Sequence, residues 1–134
     1  MKFSINRKTW RCGGNLRISP TNTHGKGKTK LLNDCDYMCC LGHFCLNLGL
    51  EKKELLNVGN PFALKKHVDG LNYPIGEDYD KGFSTEYIAT IFTEKAIAIN
   101  DNPYSTLQQK EENLTTLCKE YGHTLEFVGE YEND

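Results

Sequence analysis

The chain lacks a long hydrophobic run. Its longest apolar stretch, residues 37–50, is interrupted by His43 and Asn47 and is too short to cross a bilayer. The first residues, MKFSINRKTW, also lack the continuous apolar segment of a signal peptide. We therefore expect a protein of the cytoplasm that has no membrane partner.

The motifs of common catalytic and cofactor sites are missing as well. No serine elbow, dinucleotide fingerprint or zincin helix occurs in the sequence. The segment HGKGKTK at 24–30 resembles a phosphate loop, but the Walker pattern requires glycine at the position of Asn22. The carboxylates of GEDYD at 76–80 do not follow the calcium-loop pattern. These absences favour a protein that is not an enzyme and carries no cofactor or metal.

Acidic residues are absent from the first 30 positions, although the whole chain has a net charge of −2. The other 104 residues hold all 18 acidic side chains and half of the 16 basic ones. Such a separation indicates that the N-terminal part meets an anionic partner. The eight basic residues of this part are Lys2, Arg7, Lys8, Arg11, Arg17, Lys26, Lys28 and Lys30.

Within this acid-free part, five residues are candidates for binding an anionic ligand. Trp10 is the only tryptophan, and an aromatic ring beside cations can stack on a base while the cations hold phosphates. The alternatives are that a lone tryptophan anchors the core and that the lysine-rich segment is a solvated loop. The candidates are Trp10, Arg11, Lys26, Lys28 and Lys30.

Four cysteines and a histidine cluster at residues 35–45. On one continuous helix Cys35, Cys39 and His43 would share a face and could begin a zinc site. No second pair of ligands with the usual spacing follows, and free cysteines are among the most buried side chains. We therefore predict a buried helix over residues 37–48, ended by Gly49, whose thiols pack in the core and whose His43 is hydrogen-bonded at the rim. Metal binding and thiol chemistry are the alternatives.

Hydrophobic periodicity predicts the remaining elements. MKFSI alternates as a strand with Phe3 and Ile5 on one face, and TLEFVGEY at 124–131 alternates as a second strand. LEKKELL at 50–56 is typical of a short helical turn. A helix capped by Ser84 is predicted to end before the DNP of residues 101–103.

A last helix is predicted from a capping box of Ser105 and Gln108 to Gly122. Its apolar stripe is formed by Leu107, Leu114, Leu117 and Tyr121. With 134 residues, 38% hydrophobic and 25% charged, the chain suits one globular domain, residues 1–134, with a mobile basic loop at about 20–30. We predict an α+β fold whose two strands share one sheet, packed against the central helix and two C-terminal helices.

The motifs RKTWRCGG, MCCLGHFCLNLGL, ELLNVGNP, AIAIND and LEFVG together resemble a widespread group of small phage-encoded accessory proteins with a C-C-L-G segment. The resemblance implies a protein made in the cytoplasm of an infected bacterium, where it counters host defence. One mode of such proteins, that of anti-CBASS and anti-Thoeris sponges, is a homo-oligomer that sequesters a cyclic nucleotide immune signal without cleaving it.

That mode gives the leading hypothesis, a sponge for a cyclic oligonucleotide or cyclic ADP-ribose type of signal. The alternatives are an inhibitor that binds a host defence protein directly and an enzyme that degrades the same signals. Binding to nucleic acid is disfavoured by the net acidity of the chain.

Overall fold

The structure is a computed structural model that describes residues 2–12, 30–33, 36–59 and 85–131, with 85–90 described by their backbone alone. The described elements confirm the predicted α+β class. In chain order they are β1 (Lys2–Asn6), α1 (Cys40–Asn47), α2 (Lys52–Leu55), α3 (Thr85–Asn100), α4 (Leu107–Glu120) and β2 (Thr124–Val128).

Strands β1 and β2 pair with each other, which confirms the prediction of one shared sheet, and the structure adds that they are parallel. Phe3 lies opposite Leu125 and Ile5 opposite Phe127, so the apolar residues of both strands fall on one face. Phe3 and Ile5 are fully buried. The other face is exposed to solvent, and on it Lys2 forms an ion pair with Glu126 at 3.3 Å.

A row of aromatic rings connects the sheet with the helices. Phe3 of β1 contacts Phe44 of α1 with 4.7 Å between ring centroids, and Phe44 lies 6.2 Å from Phe92 of α3. Phe92 in turn meets Tyr121, just after α4, edge to face at 4.9 Å. Because each ring belongs to a different element, this row fixes how the elements pack.

Helix α1 begins later than the sequence predicted. It starts at Cys40, because Asp36 has a left-handed φ of 68° and Cys39 is extended with ψ of 175°. Gly42 sits in its first turn, where a Cβ would lie 1.9 Å from the carbonyl oxygen of Leu31, so glycine permits the close approach of that chain segment. Gly49, with φ of 97°, follows the helix as predicted.

The C-terminal helices largely follow the predictions. Helix α3 ends at Asn100, directly before the DNP sequence, and α4 buries its predicted stripe before Gly122, whose φ is 82°. The predicted capping box is wrong by one residue, because Thr106 caps α4: its hydroxyl accepts from the Gln109 amide at 3.1 Å. The Gln109 side chain accepts from the Thr106 amide at 2.8 Å in return.

The short helix predicted from LEKKELL is confirmed as α2, which buries Leu55 against the core. None of the helices in the described ranges is long and apolar enough to cross a membrane. The proposed Ser84 cap, residues 60–83 and the basic loop apart from Lys30 lie outside the described residues.

Candidate functional site

A polar site in the described core is centred on the side chain of Asn100, which is 1% exposed. Its Oδ1 accepts a hydrogen bond from Trp10 Nε1 at 2.7 Å and another from the Cys40 amide at 3.1 Å. Its Nδ2 donates to the Arg11 carbonyl at 3.2 Å and to Asp101 Oδ1 at 2.8 Å. All the hydrogen-bonding capacity of the Asn100 amide group is thereby used.

This amide connects segments that are far apart in the sequence. Trp10 comes from RKTW, Cys40 from MCCLG, and Asn100 from AIAIND, so three distant segments of the chain meet at one point. The contact with Cys40 also has a local purpose. Cys39 makes no side-chain cap, and Asn100 supplies an acceptor to an amide that the first turn of α1 leaves open.

Lys110 closes the same site from the side of α4. Its Nζ is fully buried and donates to the carbonyl oxygens of Asn100 at 2.8 Å, Asn102 at 2.7 Å and Ile99 at 3.3 Å. These carbonyls end α3, where the helix dipole favours a cation. Burial lowers the pKa of Lys110, and Coulombic interactions with Cys12, Asp101 and Cys40 act in the opposite direction without cancelling that shift. Lys110 is therefore a structural cation.

Trp10 does not offer the stacking surface that the sequence suggested. It is 0% exposed, and its ring packs 5.2 Å from Phe127 and 6.4 Å from Tyr131. A base cannot reach a ring whose faces are already covered by protein. The alternative, that the single tryptophan anchors the core, is the one that the structure confirms.

Arg11 is likewise turned inward and is only 6% exposed. Its guanidinium carbon lies 3.8 Å from the centroid of the Tyr37 ring, and Nη1 donates to the carbonyls of Lys8 and Trp10 at 3.0 and 2.9 Å. This inward placement does not favour the expected phosphate contact of Arg11, because the guanidinium is engaged with the carbonyls of Lys8 and Trp10.

The cysteines of the described core confirm the packing prediction. Cys39 is 4% exposed, and Cys12, Cys40, Cys45 and Cys118 are fully buried. Burial raises the pKa of the Cys118 thiol to about 12 and that of the Cys40 thiol well above its ordinary value. A protonated, buried thiol is a poor nucleophile and a poor metal ligand. Cys35 lies outside the described residues.

The shared helical face proposed for Cys35, Cys39 and His43 does not form, because α1 begins only at Cys40. Across the described ranges no three potential ligands are grouped to hold a metal ion. His43 is not at a hydrated rim, since it is 4% exposed and its Nε2 has no hydrogen-bond partner among the described residues. Burial first, and nearby Lys52 second, lower the pKa of His43 to about 4.

Lys30 is the one predicted ligand-binding residue that the structure describes on the surface. Its Nζ donates to Asn57 Oδ1 at 3.0 Å, and its carbonyl accepts from the Cys39 amide at 3.1 Å. Arg11 is held at the adjacent residue, because its amide donates to the Met38 carbonyl at 2.8 Å. The chain before residue 13 is thus hydrogen-bonded to Met38, and the chain after residue 29 is hydrogen-bonded to the next residue, Cys39. Lys26 and Lys28 lie outside the described residues.

A surface cleft that the sequence did not predict lies between Arg7 and α4. Arg7 binds the Glu111 carboxylate in a bidentate manner, at 2.9 and 2.8 Å, and donates to the Gly129 carbonyl at 3.1 Å. Tyr131 donates to the same carboxylate, and the cleft has a volume of about 370 Å³. Burial raises the pKa of Glu111, but the hydrogen bonds from Arg7 and Tyr131 outweigh this effect, so that the pKa is lowered. No local pattern connects residues 104 positions apart.

This cleft is better suited to holding the chain together than to binding an anion. Arg7 is already in an ion pair with Glu111, and Glu130 adds a second carboxylate to the residues that line the cleft. An anionic ligand would have to displace a bidentate ion pair and approach a negative side chain. Among the described residues of the acid-free first 30 positions, the lysines Lys2, Lys8 and Lys30 are exposed, and Lys30 is the one that directly follows residues 13–29.

Comparison of the chain with protein-family models, with curated proteins and with solved structures finds no match. The interpretation of the site consequently depends on its own chemistry.

Proposed function

We propose that the protein binds and sequesters a small anionic nucleotide signal without cleaving it. The signal is of the cyclic oligonucleotide or cyclic ADP-ribose type, and its removal would inhibit antiviral defence in an infected bacterium. One observation carries the proposal: residues 13–29, which hold no acidic side chain, lie between Cys12 and Lys30, and the chain is held on both sides of them. The Arg11 amide bonds to Met38 and the Lys30 carbonyl to the next residue, Cys39.

The chemistry of this segment favours phosphate. Lys26, Lys28 and Lys30 alternate with Gly25, Gly27 and Thr29, so cations stand beside residues that permit a close approach of backbone amides. No carboxylate in the first 30 residues competes for these lysines. Fixed ends reduce the conformational entropy that the segment would lose on closing around a ligand.

The described core supports binding rather than covalent chemistry. Its thiols are buried and their pKa values are raised where a shift is resolved, and the Asn100 amide and the Lys110 ammonium are fully engaged with protein groups. We therefore assign the core the role of a scaffold and the basic segment that of the binding site. With Trp10 and Arg11 buried, the proposed contacts to phosphate are those of Lys26, Lys28 and Lys30.

Retention of a ligand tests the proposal directly. The protein is incubated with a panel of cyclic dinucleotides and cyclic ADP-ribose isomers, separated from free ligand by gel filtration, and then denatured. We expect one ligand class to elute with the protein and to be recovered with unchanged mass. Recovery of a cleaved product at substoichiometric protein would instead reveal an enzyme. Failure of the whole panel, with one host protein captured in fixed ratio, would support the inhibitor hypothesis.

A further inference from the structure

Within the described part of the chain, strand β2 has one edge with no partner strand. Because the Arg7 amide donates to the Val128 carbonyl at 2.9 Å, the even-numbered residues of β2 bond to β1 in this parallel ladder. The backbone groups of Leu125 and Phe127 therefore point away from β1. Among the residues that the structure describes, none provides a hydrogen bond to these groups. An unpaired row of amides and carbonyls is a template for another strand.

The opposite edge of the sheet is protected. On β1 the outward amide of Ser4 donates to Asn47 Oδ1 at 2.8 Å. The carbonyl of Asn6 accepts from the amides of Trp10 at 3.0 Å and Thr9 at 3.2 Å. Side chains and a turn thus occupy β1, whereas β2 has no lysine, proline or bulge, and its one charged side chain, Glu126, is paired with Lys2.

We propose that β2 pairs with β2 of a second copy of this chain, antiparallel and about a twofold axis. Two strands alone make a marginal sheet, and this pairing gives a continuous sheet of four. The edge suits its own copy, because each strand would place exposed Val128 opposite exposed Thr124 of the second copy, a favourable pair of β-branched residues. The assembly ends at two copies, since the β1 edge is occupied.

The hydrogen-bond pattern selects the register. Centring the axis on Glu126 lets Leu125 and Phe127 exchange amide and carbonyl bonds with Phe127 and Leu125 of the second copy. This arrangement places the two Glu126 side chains opposite each other on the solvent-exposed face of the sheet. Each carboxylate keeps its own Lys2 at 3.3 Å, which reduces their repulsion. The dimer is therefore weakened at one identified position.

The proposed dimer is tested first by analytical ultracentrifugation of the full chain, which measures its mass in solution from micromolar to millimolar concentration. Amide hydrogen exchange is measured over the same range. We expect a reversible dimer in which the amides of Leu125 and Phe127 become protected as concentration rises. Val128→Asp adds two like charges beside Glu126 and should weaken dimerisation about tenfold, whereas Val128→Thr keeps a β-branched residue and should not. Circular dichroism confirms that both variants are folded.

A charge swap tests the register. Glu126→Gln should tighten the dimer about two- to fivefold by removing the repulsion. Glu126→Lys mixed with the unchanged chain should form a mixed dimer in preference to either homodimer, because opposite charges then face each other. A monomer at millimolar concentration would overturn the proposal. So would a dimer that is insensitive to Val128→Asp, or protection of Leu125 and Phe127 that is independent of concentration.

Discussion

At the scale of single residues, buried polar groups organise this protein. Asn100 and Lys110 lie in the core, and together they bond to the Trp10 indole, the Cys40 amide and the carbonyls at the end of α3. Such groups stabilise a fold only while every partner is present, because a lone buried donor or acceptor is unfavourable. Substitutions at these positions should therefore have large effects.

Asn100→Ala should lower the free energy of unfolding by about 3 kcal/mol, because it leaves the Trp10 indole and the Cys40 amide without an acceptor. The measurement is urea unfolding followed by tryptophan fluorescence. Asn113→Ala, on the exposed side of α4, is the matched control and should change stability by less than about 0.5 kcal/mol. Equal effects of the two changes would show that the Asn100 contacts do not stabilise the core.

Gly42→Ala should reverse the usual sign of a glycine substitution. In an ordinary helix the change stabilises by about 1 kcal/mol. Here the new Cβ would lie 1.9 Å from the Leu31 carbonyl oxygen, so we expect a loss of about 2 kcal/mol in urea unfolding. Gly59→Ala meets no atom within 4 Å and should be close to neutral. A stabilised Gly42→Ala variant would contradict the close contact.

His43 should make the fold sensitive to acid. Its pKa is about 4 in the folded protein and 6.5 in a model peptide, so the unfolded chain takes up the proton first as pH falls. The resulting stability is complete above pH 6.5 and is lost between pH 6.5 and 4. Between pH 7 and pH 5 we expect His43 to account for a loss of about 2 kcal/mol.

Urea unfolding at both pH values checks this expectation. The variant His43→Gln, which cannot titrate, should lose about 2 kcal/mol less than the unchanged chain over the same interval. Each protein is its own reference, because only the difference between pH 7 and pH 5 is compared. An identical pH dependence of both proteins would mean that His43 is not buried in its neutral form.

At the scale of the elements, the helix ends that depend on residues close in sequence were predicted correctly. Gly49, the DNP sequence and Gly122 each stop a helix through the chain's own backbone, and all three ends were found. The start of α1 was missed because it depends on tertiary contacts: the Met38 amide donates to the distant Thr9 carbonyl, and the Cys39 amide donates to the Lys30 carbonyl. The choice between Ser105 and Thr106 as a cap was missed because both residue types suit the position.

The cap of α4 gives a test at this scale. Thr106→Ala should lower the free energy of unfolding by about 1 kcal/mol, since it removes the acceptor of the Gln109 amide. Ser105→Ala should leave it unchanged within about 0.5 kcal/mol. Thermal unfolding by circular dichroism separates the two. The reverse order of effects would restore the capping box predicted from the sequence.

At the scale of the whole molecule, the described core is a scaffold that joins the two ends of the chain in one sheet. The contacts that define it, Trp10 with Asn100 and Arg7 with Glu111, join residues 90 and 104 positions apart. No sequence pattern reports such pairs, which is why Trp10 was first assigned to a ligand. The class of fold was predictable because hydrophobic periodicity is local, whereas the candidate site depends on how distant segments meet.

The central claim is that Lys26, Lys28 and Lys30, within the acid-free first 30 residues, hold an anionic nucleotide on this scaffold. Isothermal titration of the retained ligand into two charge-matched triple variants tests it most directly. One variant replaces Lys26, Lys28 and Lys30 with glutamine, and the other replaces the exposed Lys53, Lys95 and Lys119. We predict that the first loses more than about tenfold in affinity and that the second binds as the unchanged chain does. Equal affinities of the two variants would contradict the account.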